Sequence, residues 1–169
     1  SDYIENDVPV LGICFGHQVV VKSLGGSVER MNDFEIGYEP VEFENSRIFR
    51  NIDDVERPFS THQDRVVDIP QCLKATARTE KAVQGVEHMT KPVFGVQFHP
   101  ELTPEISRKA IRTKDFSTER EERLLEQVNE DNFERAKNCL AIIEDFRRIS
   151  SQEIPEVREL ITTDQKAGI

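Results

Sequence analysis

The sequence predicts an α/β domain with a mostly parallel central sheet, and three observations carry that prediction. Residues 8–13, VPVLGI, form an unbroken apolar run that stops at Cys14 and passes into helix-forming sequence. Residues 92–101, PVFGVQFHPE, repeat the pattern, a mostly apolar strand interrupted by Gln97 that ends in the polar cluster His99-Pro100-Glu101. Strands of a parallel sheet are buried on both faces, so they read as continuous rather than alternating apolar runs. Between the two runs lie several short β-branched pieces separated by turn signals, which adds further strands beside the parallel core.

The elements follow in order. Residues 16–24 read as a helix closed by Gly25-Gly26 at its C-cap. Strand-like segments occupy 27–30, 38–43, 58–61, 73–78, 82–88 and 93–98, with turns expected at Asn32-Asp33, Asn45-Ser46 and Ile69-Pro70-Gln71. After Glu101 the character becomes helical. Thr118-x-x-Glu121 and Asp131-x-x-Glu134 have the spacing of N-terminal capping boxes. Phe133, Ala136, Leu140, Ile143 and Phe146 fall on one helical face, which is expected to pack on the sheet. Pro155 suits the first turn of a last short helix, to about Thr162. The division is a domain over 1–150, with a charged helical insertion at about 102–132, and a tail over 151–169 carrying that short helix.

The chain has 169 residues, enough for one domain with a core of its own. A net charge of −10 argues against a nucleic-acid binder, which would need a basic face. No apolar run is long enough to cross a bilayer, and the first residues are polar and acidic with no signal-peptide pattern. Three cysteines, far apart and without metal-ligand spacing, point to free thiols in a reducing, cytoplasmic setting and to no metal. Charge is uneven: residues 113–169 are dense in Glu, Asp, Arg and Lys.

Chemistry concentrates at the ends of the two apolar runs. In Gly12-Ile13-Cys14-Phe15-Gly16-His17-Gln18 a buried strand enters a tight turn and then a helix. This is the logic of a nucleophile elbow, with glycines two before and two after the nucleophile expected to remove colliding Cβ atoms. The helix N-terminus behind Cys14 favours a thiolate, and the backbone N–H of Phe15 can point at a developing oxyanion. The alternative is a small buried cysteine in a glycine-flanked turn. At the second strand end, His99 can reach a cysteine on a neighbouring strand. Glu101, beyond the stiff Pro100, can accept the other imidazole N–H and hold the tautomer. Together they form a nucleophile, a base and an orienting group.

PVLGICFGHQ followed by GVQFHPE, about eighty residues apart by direct count, resembles the signature pair of class I (triad-type) glutamine amidotransferase domains. Phe34-Glu35-Ile36-Gly37 resembles the segment that follows the nucleophile helix in that family. Thr61-His62-Gln63-Asp64-Arg65-Val66 resembles the S-H-x-D-x-V segment of the GMP synthase amidotransferases, and residues 83–88 and 91–96 also look most like that subfamily. The resemblance covers about residues 3–112 and 133–149. It implies a flavodoxin-like three-layer α/β fold with a C-terminal helical extension. It implies that Cys14 attacks the side-chain amide of glutamine, that His99 protonates the leaving ammonia and that water cleaves the thioester. It further implies that Gln18, His62, Gln63 and Asp64 bind the amino-acid end of glutamine. No cofactor belongs to the domain itself; ATP would be used by a synthetase, as a separate chain or a further domain, that accepts the ammonia.

Two departures from the family pattern shape the expectations. Such domains begin well upstream of the nucleophile strand, with further strands and a Gly-rich loop supplying the second oxyanion donor, whereas only thirteen residues precede Cys14. The domain is therefore expected to be N-terminally incomplete, with a loss of about 10²–10³ in rate from the missing donor. The charged tract 102–132 separates the His-Pro-Glu motif from the closing helix. It reads as a solvated insertion or as a docking edge for a synthetase. Two other functions stay open: a γ-glutamyl hydrolase or peptidase on the same scaffold, and a non-catalytic interaction remnant.

Overall fold

A computed structural model describes residues 2–153. The expected helix after Pro155 lies outside the described residues. The apolar run becomes β1 (Val10–Ile13), preceded by a short α1 (Asp2–Glu5) and followed directly by α2 (Phe15–Ser23). Gly25 closes α2 at φ 98°, and the N–H groups of Gly25 and Gly26 return to the carbonyls of Lys22 and Val21. Only glycine adopts that backbone routinely, so the predicted cap stands.

The remaining strands are β2 (Ser27–Tyr38), β3 (Val41–Phe43), β4 (Val55–Glu56), β5 (Phe59–Asp68), β6 (Leu73–Arg78), β7 (Val83–His88) and β8 (Val93–Val96). Six of them form one sheet in the order β1-β8-β7-β6-β3-β4. The α/β class stands, with one difference of detail. Only β1–β8 pairs in parallel among the described strands, and the other four pairings are antiparallel, so the sheet is mixed. Alternation along β8 assigns its faces. Phe94, Val96 and, just beyond, Phe98 join Cys139, Ile142 and Ile149 in one core cluster. Val93 packs instead with Val20, and Val21 packs with Val86. The sheet is therefore sandwiched between α2 and the C-terminal helix α6 (Ala141–Glu153), which makes the three layers.

The other two strands, β2 and β5, form an antiparallel ribbon. The turn expected at Asn32-Asp33 does not form. Pairing resumes beyond it, with Arg30 opposite Asp64 and Glu35 opposite His62, so residues 31–34 bulge opposite Gln63 alone. A bulge absorbs turn-prone residues without ending a strand. By the same pairing His62-Gln63-Asp64 lies within a strand rather than in a polar turn.

The tract after Glu101 folds into α3 (Pro104–Arg112), α4 (Thr118–Gln127) and α5 (Glu130–Ala136). Several of its apolar residues do not face solvent. Ile111, Leu124 and Val128 are buried against Ile36, Tyr38 and Phe59 of the ribbon. Thr118 and Asp131 are not the caps. Ser117 accepts from the N–H of Arg120, and Asn129 accepts from the N–H of Asn132. The single expected face running from Phe133 to Phe146 is also broken. A 3-10 turn over Lys137–Leu140 rotates the chain, so Cys139, Ile142 and Ile149 are buried while Leu140 is 42% exposed. With three rather than 3.6 residues per turn, the stripe shifts round the axis.

Candidate active site

Cys14 sits between β1 and α2 with φ 51° and ψ −102°, a conformation unfavourable for any residue with a Cβ. Its N–H donates to the carbonyl of Val96 at 2.8 Å, extending the β1–β8 pairing by one residue before the chain turns. Gly12 makes the turn possible: a Cβ there would lie 2.5 Å from the backbone carbonyl of Gly16. Gly16 itself differs from the expectation. A Cβ on it would meet nothing within 4 Å, so its role is to be approached rather than to avoid a clash.

His99 is anchored by its own N–H, which donates to the carbonyl of Phe59 at 2.8 Å. Its Nδ1 lies 2.7 Å from Oε1 of Glu101. Burial disfavours the charged imidazolium, but hydrogen bonds to the Cys14 side chain and to Glu101 outweigh it, and the pKa rises to about 9. Burial likewise acts to raise the Glu101 carboxyl, yet His99 holds it below the usual carboxylate range. The two shifts agree: imidazolium and carboxylate stabilise one another. Cys14, His99 and Glu101 are thus brought together as the spacing of the two motifs predicts.

Around this set lies a polar network that the motifs alone do not reveal. The Gln97 amide donates to the Cys14 sulfur at 3.5 Å and accepts from the Gln18 side chain at 3.1 Å. The Gln18 amide also donates to the Asp64 carbonyl at 3.1 Å. Nδ1 of His62 lies 3.0 Å from the same carbonyl, and its Nε2 lies 3.2 Å from Glu35. Gln84 completes the cluster by donating to Glu35 at 3.0 Å. A signal for Gln97 does exist in the sequence: it stands two residues before His99, on the same side of the β8 extension. Gln84 follows from cross-strand pairing, since its carbonyl accepts from the N–H of Gln97. His17 faces the sheet where Gly95 leaves room, since a Cβ on Gly95 would lie 2.7 Å from the imidazole. Burial lowers its pKa to about 4, so it is neutral at physiological pH.

The cluster borders a cavity of about 300 Å³, lined by Cys14, Phe15, Gln18, His62, Gln63 and Asp64, together with Arg30, Phe34, Thr61 and Lys114. All four expected substrate contacts are on its wall, but their side chains differ in what they have left to offer. The His62 side chain is 2% exposed and committed to Glu35 and to the Asp64 carbonyl. Gln63 is held by Arg30 at 2.6 Å and by the Met31 carbonyl. These two are placed to hold the wall rather than to reach into the cavity. The Asp64 carboxylate has no hydrogen-bond or ion-pair partner among the described residues. Phe15 stands at the first position of α2, where the backbone N–H has no intrahelical acceptor, and its ring is 74% exposed. Among the described residues no group of His, Cys, Asp and Glu has the geometry to hold a metal ion. No helix there is long and apolar enough to cross a membrane.

The family profile described as glutamine amidotransferase class-I matches residues 1–118. The chain belongs to the class I glutamine amidotransferase family. The glutamine-hydrolyzing GMP synthase subunit of Thermococcus kodakarensis is 39% identical over 102 residues, covering 59% of this chain and 54% of that protein. The glutamine-hydrolyzing GMP synthase of Clostridium novyi is 39% identical over 104 residues, which is 60% of this chain and 20% of that one. The chain thus spans about half the length of the Thermococcus protein, and a smaller share of the longer Clostridium one. Among solved structures, a glutamine amidotransferase from Thermotoga maritima superposes with a TM-score of 0.70 at 29% identity, over 86% of this chain and 65% of that one. A glutamine amidotransferase from Methylobacillus flagellatus superposes with a TM-score of 0.72 at 18% identity, over 87% and 65%; at that identity the likeness speaks for the fold alone.

Proposed function

We propose that this amidotransferase domain hydrolyses glutamine to glutamate and ammonia through a thioester on Cys14, and that the ammonia serves a synthetase. The observation that carries the reading is the placement of His99 between the Cys14 side chain and the Glu101 carboxylate. The Cys14 sulfur attacks the side-chain amide carbon, and the carbonyl oxygen gains negative charge next to the backbone N–H of Phe15. Collapse of that intermediate expels ammonia, which takes its proton from the His99 imidazolium. His99, now neutral, removes a proton from water. The hydroxide displaces the sulfur from the thioester as thiolate, releasing glutamate and leaving His99 protonated again for the next turnover. Glu101 fixes the tautomer and stabilises the imidazolium without itself carrying the proton.

The resemblance to glutamine-hydrolyzing GMP synthases makes a synthetase that aminates XMP with ATP the partner proposed here. The protein is placed in the cytoplasm, where such a reaction would occur. The test measures ammonia release from glutamine by the wild type, Cys14→Ala and His99→Ala, and maps the residue acylated by a glutamine-mimicking diazo-ketone. The expected adduct is on Cys14, and each variant should lose nearly all turnover. Labelling of Cys72 or Cys139 with Cys14 untouched would defeat the assignment. Transfer of ammonia to XMP with an added GMP synthetase supports the GMP branch. Faster cleavage of γ-glutamyl peptides than of glutamine would support a peptidase instead.

A further inference from the structure

The Cys14 cavity is lined by one carboxylate, Asp64, and two cations, Arg30 and Lys114, none of them ion-paired among the described residues; Arg30 is engaged by the Gln63 side chain, which leaves Lys114 as the cation without a polar side-chain partner. The Asp64 carboxylate has no hydrogen-bond or ion-pair partner among the described residues. Lys114, from the connection between α3 and α4, lines the same cavity and has no carboxylate partner there. What holds Lys114 is aromatic: its ammonium lies 4.7 Å from the centroid of the Phe34 ring. Phe34 stands edge-on to Phe116 at 5.7 Å, and Arg120 covers Phe116 at 4.2 Å while pairing with Asp33 at 2.8 Å. This clamp ties the helical tract to the β2 bulge and sets the cation on the cavity wall. A cation held over an aromatic face keeps its charge and its donors free for an anion.

We infer that Lys114 binds the α-carboxylate of the substrate and makes the site select a free α-amino acid. Asp64 takes the α-ammonium on the opposite charge, and the side-chain amide extends toward Cys14. The inference rests on the amidotransferase reading and adds the recognition of the substrate's far end. It also gives the tract after Glu101 a part in the site. A peptide or amide derivative, lacking the α-carboxylate, would leave the cation without a partner.

The test uses two diazo-ketone analogues of glutamine, one with a free α-carboxylate and one with an α-carboxamide, and measures the rate of Cys14 alkylation. Iodoacetamide serves as the neutral reference. The wild type should prefer the carboxylate analogue. Lys114→Met keeps the alkyl stem over Phe34 and removes the charge. It should slow labelling by the carboxylate analogue roughly 10- to 100-fold, the size of a lost charged hydrogen bond. Labelling by the carboxamide analogue and by iodoacetamide should stay unchanged, and Lys114→Arg should restore most of the preference. In steady-state turnover the loss should fall on KM for glutamine rather than on kcat. Equal slowing of all three reagents would mean that Lys114 only braces the wall, and would overturn the inference. So would an unchanged preference in Lys114→Met. If wild-type Cys14 reacts no faster with the carboxylate analogue than its reaction with iodoacetamide predicts, the amidotransferase reading fails and the inference fails with it.

Discussion

The charge state of His99 is the most consequential property of a single residue here. Its imidazolium is favoured up to a pKa of about 9 by Cys14 and Glu101 against the cost of burial. In the proposed mechanism proton donation to departing ammonia requires that imidazolium, so turnover should fall as pH rises through about 9. Glu101→Gln removes one of the two raising interactions, and the alkaline limb should then move to lower pH. A pH–rate profile of both forms checks this; an unmoved limb would separate Glu101 from the proton transfer. The same group affects stability. Its folded value lies above the 6.5 of a free imidazole, so its stabilising contribution is complete below pH 6.5 and is lost as pH rises through about 9.

At the scale of elements, the junction of β1 and α2 distinguishes two glycines that look equivalent in the sequence. A Cβ on Gly12 collides with the backbone of Gly16 and His17, whereas a Cβ on Gly16 faces open space. Gly12→Ala should therefore cost about 1–3 kcal/mol through forced separation of strand and helix. It should also displace Cys14, and a shift of about 1 Å at a reacting group costs on the order of 10²-fold in rate. Gly16→Ala should leave stability unchanged or raise it by up to about 1 kcal/mol, because alanine favours helix. Denaturant unfolding of both variants, with Cys14 alkylation rates alongside, decides the matter. Equal destabilisation would show that the close approach at Gly12 is not what shapes the elbow.

For the molecule as a whole, the helical tract after Glu101 completes a second core over the β2–β5 ribbon. Leu124 is 8% exposed and packs with Ile36, Tyr38 and Phe59. The Gln127 side chain accepts from the N–H of Tyr38 at 3.3 Å, beside Gly37, whose φ of 114° suits glycine. Leu124→Ala should lower stability by roughly 2–5 kcal/mol. Leu140→Ala, at a position with the same sequence character but 42% exposed, should change it by less than about 0.5 kcal/mol. Calorimetry on the two variants tests the assignment. If Leu124→Ala were neutral, the tract would be the dispensable insertion that its charge suggests.

The elbow, the order of the two strand-end motifs and the Cys14, His99 and Glu101 set are all readable in the sequence. They depend on local patterns: an apolar run, a glycine spacing, a carboxylate two residues from a histidine. β6 is legible to the residue, because its pattern and its bounding turns are local too. The partnerships between distant segments are not legible. Nothing in the composition of residues 113–132 distinguishes a solvated helix from one with a single buried leucine and valine, since a narrow apolar stripe serves either. The buried pairing of His62 with Glu35 requires the register of β2 against β5, and the bulge at residues 31–34 that sets it looks like a turn when read alone. Lys114 reaches the cavity through an aromatic clamp between segments about eighty residues apart by direct count. Local propensity determines what each segment can become, whereas burial and register depend on which segments meet, and that is a property of the whole folded chain.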